Sequence, residues 1–201
     1  MIEPHWAGPA DDEAVASFIA AAIATGGTIA VPGGGTPLPI WRLLVARDLD
    51  WSRITIMLTD DRQVDEGHPA SNEGALQRAL AGTGVRRLKL SEGLAPPRFD
   101  LVWTGIGEDG HVASIFPNLD MRAQAGPTVV AAIPDPLPPE APFPRLTLNL
   151  AALANTRETI LVARGGAKKW MLEEAIGGRN DLPIARLLAA SNSPFTIFWI
   201  P

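Results

Sequence analysis

The segment from Phe99 to Pro117 constrains this chain more than any other. A short apolar run ends there in a glycine-rich corner that carries an Asp and a His two residues apart. The run from Phe99 to Thr104 reads as a buried strand, bounded by Gly105 and Gly107. In an open parallel sheet, ligands bind in the crevice beyond the carboxyl ends of the strands, which is where Asp109 and His111 would sit. His111 is one of only three histidines, and an imidazole is the side chain best suited to proton transfer near neutral pH. Two readings of this corner stand open, a proton-transfer site and a tight turn with a surface histidine.

The rest of the chain alternates strand and helix patterns. Asp11, Asp12 and Glu13 suit a helix N-terminus, and helix formers run from Ala14 to Thr25 before Gly26-Gly27. Strands are expected at Thr28–Val31, Ile54–Thr59, Arg86–Leu90, Thr128–Ile133, Leu146–Leu150, Thr159–Ala163 and Phe195–Ile200. Helices are expected at Leu38–Arg47, Asn72–Leu80, Ala167–Ile176 and Ile184–Ala190. Pro134 to Pro144 holds six prolines and must be a loop. This alternation implies an α/β fold, a mostly parallel, Rossmann-like sheet flanked by helices. Neither a repeat nor a long linker divides residues 1–201, so one domain is expected.

Composition narrows the function. A chain with 46% hydrophobic and 19% charged residues is globular. A net charge of −5 argues against nucleic acid as a partner but leaves room for a local basic pocket. With no cysteine, thiol catalysis, disulfides and thiolate metal sites are excluded. No apolar run reaches the roughly 18 residues of a membrane span, and Met1–Trp6 lacks the basic flank and apolar core of a secretion signal. A soluble cytoplasmic protein, monomeric or a small homo-oligomer, is expected.

Three further segments carry chemistry. Gly33-Gly34-Gly35-Thr36 joins a strand to a helix, where converging amides and the helix dipole favour a phosphate, though a plain glycine turn would look the same. It is neither a Walker loop nor a dinucleotide fingerprint. Asp60-Asp61-Arg62 follows the next strand. A carboxylate there can orient a proton and a guanidinium can stabilise an oxyanion, or the cluster is solvated surface. Arg145 opens a strand, and Lys168 and Lys169 begin a helix whose dipole they oppose unless an anion is present. An exposed lysine pair is the alternative.

The order of these motifs resembles the 6-phosphogluconolactonase family, within the wider glucosamine-6-phosphate deaminase group. The resemblance rests on Gly33-Gly34-Gly35-Thr36-Pro37, Asp60-Asp61-Arg62 with Ser71-Asn72, and the full Gly-x-Gly-x-Asp-Gly-His-x-Ala-Ser-x-Phe-Pro signature from Gly105 to Pro117. Arg145-Leu146-Thr147 and the Gly165-to-Lys168 helix start complete it. The chain departs from the family pattern at Pro32 and Gly35, where serines are common, and at Asp61, where glutamate is usual. It is also short between Ala81 and Arg98, as though a helical elaboration were missing.

The resemblance implies hydrolysis of 6-phospho-D-glucono-1,5-lactone, a small sugar-phosphate lactone, with no cofactor and no metal. His111 is then the general base, Asp109 its support, and Arg62 and Asp60 catalytic groups at the sugar end. Gly33, Gly34, Gly35, Thr36, Arg145 and Lys168 would hold the phosphate. Lys168 is preferred to Lys169 because Met171 and Leu172 match the family register. The alternatives are a glucosamine-6-phosphate deaminase or isomerase, and a non-catalytic sugar-phosphate binding module. The deaminase branch carries an aromatic residue in place of Arg62 and Asn-Glu-Pro after the His.

Overall fold

A computed structural model describes residues 3–119, 126–138 and 141–201. Met1, Ile2, residues 120–125 and two residues of the proline-rich loop, 139 and 140, lie outside the described residues. Seven strands form a parallel sheet in the order β1-β10-β9-β6-β2-β3-β5. They are β1 (His5–Pro9), β2 (Gly27–Val31), β3 (Ile54–Leu58), β5 (Arg86–Leu88), β6 (Leu101–Thr104), β9 (Thr159–Arg164) and β10 (Phe195–Ile200). A second, antiparallel sheet of three strands joins β4 (Asp60–Arg62), β8 (Arg145–Leu148) and β7 (Val129–Ala132) in that order.

Alternation within each strand builds two apolar layers. Ile29, Val31, Ile56, Leu58, Leu101 and Trp103 face one layer, with helices α1 (Asp12–Ala22) and α2 (Leu38–Val45). Ala30, Met57, Val102, Leu161 and Ala163 face the other, with α4 (Leu150–Ala154), α5 (Gly166–Ile176) and α6 (Pro183–Ala190). Helix α3 (Asn72–Ala79) lies beside β4. Trp103 and Trp41, both buried, sit with ring centroids 5.5 Å apart. Burial of apolar side chains on both faces of the sheet is the dominant favourable term in folding.

The expected parallel α/β architecture is present, with three local corrections. Thr128–Ile133 and Leu146–Leu150 do not join the main sheet; their cores, β7 and β8, pair with the Asp60–Arg62 segment, which is itself a strand. Leu150 is helical, because Asn149 ends β8 and its side chain accepts the Ala152 N–H at 2.8 Å, capping α4. His5–Pro9 is a strand, paired in parallel with β10. Between residues 81 and 98 there is no helix, only turns and β5. Among the described residues, no helix is long and apolar enough to cross a membrane.

After β2 the chain winds outward through β3 and β5, then returns to the other side of β2 as β6. The crevice beyond the ends of β2 and β6 is therefore a topological switch point, the place where such sheets hold ligands.

Candidate active site

A cavity of about 370 Å³ opens at that switch point. The glycine loop after β2 supplies Gly33, Gly34 and Thr36, and the corner after β6 supplies Gly105, Gly107 and His111. The second sheet adds Asp60, Arg62 and Arg145, and the start of α5 adds Lys168. Of the ten residues expected in the site, Gly35 and Asp109 are the two that do not line this cavity. Gly35 is exposed and its carbonyl accepts the Leu38 N–H at 3.2 Å, turning the chain into α2.

Asp109 stands behind His111. Its Oδ1 accepts the His111 backbone N–H at 3.1 Å and lies 2.6 Å from the ring Nδ1. The hydrogen bond from His111 holds the Asp109 carboxyl below the usual carboxylate range. An ionised carboxylate only accepts, so Nδ1 is the donor of this pair; whenever the ring is neutral, its lone pair is then on Nε2. The Phe116 ring backs the imidazole at 4.7 Å. Gly107 makes room for it, since a Cβ there would lie 2.1 Å from His111 Cε1 and Nδ1. Beyond the ring, Ala113 adopts φ 50° in the tight turn from Val112 to Ile115, a conformation that non-glycine residues enter rarely and chiefly where a site demands it.

Arg62 and Arg145 are directly opposed in the β4–β8 register. Like charges so placed repel, and the Nε of each is buried without a hydrogen-bond partner. Arg145 is 5% exposed, its Nη2 donating to the Ala141 carbonyl at 2.9 Å. Burial, and then Arg62, push its guanidinium below the ordinary value; it stays charged. Arg62 donates from Nη1 to the Ala70 carbonyl at 2.8 Å and to Asn72 Oδ1 at 3.2 Å, and forms no ion pair with Asp60 or Asp61 among the described contacts. Two charged forks with unmet donors on one cavity wall suit an anionic ligand.

Asp60 and Asp61 divide their roles. Asp60 Oδ2 accepts the Ser114 hydroxyl at 2.5 Å inside the cavity. Asp61 points to α3, where its carboxylate accepts the N–H groups of Asn72 and Glu73 at 2.7 and 2.9 Å, and it also accepts the neighbouring Arg62 N–H at 2.7 Å. Burial nevertheless pushes the Asp61 carboxyl above its ordinary value, against the pull of those amides. Lys168 lines the cavity, whereas Lys169 lies over the Trp199 ring at 4.4 Å. Asn72, Ser114, Phe116 and Arg164 also line the cavity and were not singled out as site residues from the sequence. For Arg164 a signal existed, as a charged residue at the carboxyl end of an otherwise apolar strand.

Comparison with known proteins places this geometry. The model for glucosamine-6-phosphate isomerases/6-phosphogluconolactonase matches residues 10–89 and 85–199. The 6-phosphogluconolactonase of Rhizobium meliloti is 34% identical, covering 96% of this chain and 92% of its own length. That of Caulobacter vibrioides is 32% identical, covering 85% and 82%. The crystal structure of a 6-phosphogluconolactonase from Shewanella baltica superposes with a TM-score of 0.83 at 27% identity, over 99% of this chain and 98% of that one. The chain belongs to the glucosamine-6-phosphate isomerase/6-phosphogluconolactonase family.

Proposed function

We propose that this chain hydrolyses 6-phospho-D-glucono-1,5-lactone to 6-phospho-D-gluconate in the cytoplasm, within the oxidative pentose phosphate pathway. The relatives' shared name supports the substrate. The observation that carries the chemistry is His111, its Nδ1 committed to Asp109 and its ring in the wall of a cavity shared with Arg62, Arg145 and Lys168.

A lactone is an activated ester, so a positioned base and an oxyanion contact suffice. His111 Nε2 takes a proton from water as the water oxygen bonds to the lactone carbonyl carbon. The carbonyl electron pair moves onto its oxygen, where the Arg62 guanidinium meets the developing charge. As the tetrahedral intermediate collapses, the bond from that carbon to the ring oxygen breaks and the imidazolium protonates the leaving oxygen. Asp109 keeps the ring oriented and supports its charged form, and Asp60 orients a proton on water or a substrate hydroxyl. The phosphate lies against the glycine loop and Thr36, with Arg145 and Lys168 as cations.

The test is lactone hydrolysis corrected for spontaneous opening, on wild type and His111→Ala. Loss of the base should lower kcat by roughly 100-fold or more. Turnover near the wild-type value would remove His111 from the mechanism. Ammonia release from glucosamine 6-phosphate, without lactone hydrolysis, would move the protein to the deaminase branch.

A further inference from the structure

The first residue of α3 joins two parts of the cavity that the proposed mechanism uses separately. Asn72 is 5% exposed. Its Oδ1 accepts both the Gly34 backbone N–H at 3.2 Å and the Arg62 Nη1–H at 3.2 Å, and its Nδ2 donates to the Asp60 carbonyl at 3.2 Å. The amide can face only one way. Gly34 N–H and the Arg62 guanidinium are donors without acceptor capacity, and the Asp60 carbonyl is an acceptor only. Asn72 is itself anchored, its backbone N–H donating to Asp61 Oδ1 at 2.7 Å. Ser71 caps the helix behind it, accepting the Gly74 N–H at 3.0 Å.

The glycine loop is shaped around this side chain. A Cβ at Gly33 would lie 2.0 Å from Asn72 Cγ and 2.2 Å from Nδ2. Gly33 is not one of the glycines with positive φ, so its lack of a side chain answers to the Asn72 amide and not to backbone conformation. One planar amide thus spans the loop after β2 and the guanidinium of β4, elements that belong to different sheets.

We infer that Asn72 is a positioning residue that sets the Arg62 guanidinium and the phosphate-facing glycine loop at one fixed separation. This rests on the functional reading above, since the two contacts serve opposite ends of the substrate there. Through Arg62 it acts on the chemical step, and through Gly34 on binding. A displacement of about 1 Å at such a contact is enough to lower the rate by about 100-fold.

The experiment measures corrected lactone hydrolysis for Asn72→Ala, Arg62→Ala and the double variant, with melting curves to show that each is folded. Asn72→Ala should lower kcat by about 100-fold and raise KM. In the Arg62→Ala background, the kcat effect of Asn72→Ala should vanish while its KM effect persists. Effects on kcat that multiply in full in the double variant would overturn the inference. Asn72→Asp keeps the shape and the acceptor oxygen, so it should restore KM more than kcat, because its charge neutralises Arg62. Equal losses in Asn72→Asp and Asn72→Ala would count against it. A readout independent of turnover is the hydrogen exchange of the Gly34 amide, which should quicken by about tenfold in Asn72→Ala as its acceptor is lost. An unchanged Gly34 rate overturns the inference whatever the substrate proves to be, whereas a quickened rate in an enzyme inactive on the lactone sinks only the functional reading.

Discussion

Lys168 and Lys169 are neighbours with different surroundings. The first lies in the cavity wall, and the second is held over Trp199 and within 3.9 Å of Glu173. A charged hydrogen bond to phosphate contributes about 1.5–3 kcal/mol, so Lys168→Ala should raise KM for the lactone about 10- to 100-fold. Lys169→Ala should leave KM nearly unchanged. Steady-state kinetics on both variants decides the point, and the reverse ranking would reassign the phosphate contact. Asp61 shows the same division by environment. As the shorter of the two acidic side chains it already reaches two amides at the start of α3, besides the neighbouring Arg62 N–H, so its place in the acidic motif is explained by the helix and not by the cavity. Asp60, beside it in sequence, faces Ser114 instead.

At the scale of elements, the corner after β6 depends on a missing side chain. Gly107 has ordinary φ, so alanine is compatible with the backbone, and the atoms nearest the added methyl would be those of the His111 ring and Asp109 Oδ1. Gly107→Ala should therefore fold normally, yet lose about 100-fold in kcat by displacing the base; a folded variant with full activity would show that the ring has another productive position. The corner and the central strands were legible in the sequence because continuous apolar runs such as Leu101–Thr104 and Ile54–Leu58 mark strands wherever they pack. β4 was not, since Asp60-Asp61-Arg62 has no apolar residue and is a strand only through backbone pairing with β8. β1 was hidden too: its exposure alternates along the strand, but two of its five residues are Gly8 and Pro9, which read as turn residues in the sequence. The Asn72 contact lay beyond sequence reading for a different reason: an asparagine at a helix start looks like ordinary capping chemistry until the loop it supports is folded against it.

For the whole molecule, a net charge of −5 encloses a cavity whose wall opposes two guanidiniums. An anion bound there relieves their repulsion only in the folded state. The product 6-phosphogluconate at 100 times its Kd should stabilise the protein by about 2.7 kcal/mol, a rise in Tm of roughly 5–10 °C for a chain of this size. Thermal melting with and without product measures it. Arg145→Ala should abolish most of the rise, and an unshifted wild-type Tm at saturating product would show that the cavity is not its site.

The switch-point position of the cavity also orders events in time. As the chain leaves the ribosome, β2 and β3 can pair as soon as both are made, with the glycine loop already between them. β6 then adds to the free side of β2, but its own far edge stays open until β9 follows. Arg62 waits for β8, and the loop's last cation waits for α5. Domains gather their early segments first, and pairings between distant segments form slowly. With the residues assigned as proposed above, catalytic competence arrives only when most of the chain has been synthesised, and a nascent molecule with a half-built sheet lacks the cations that the proposed mechanism requires.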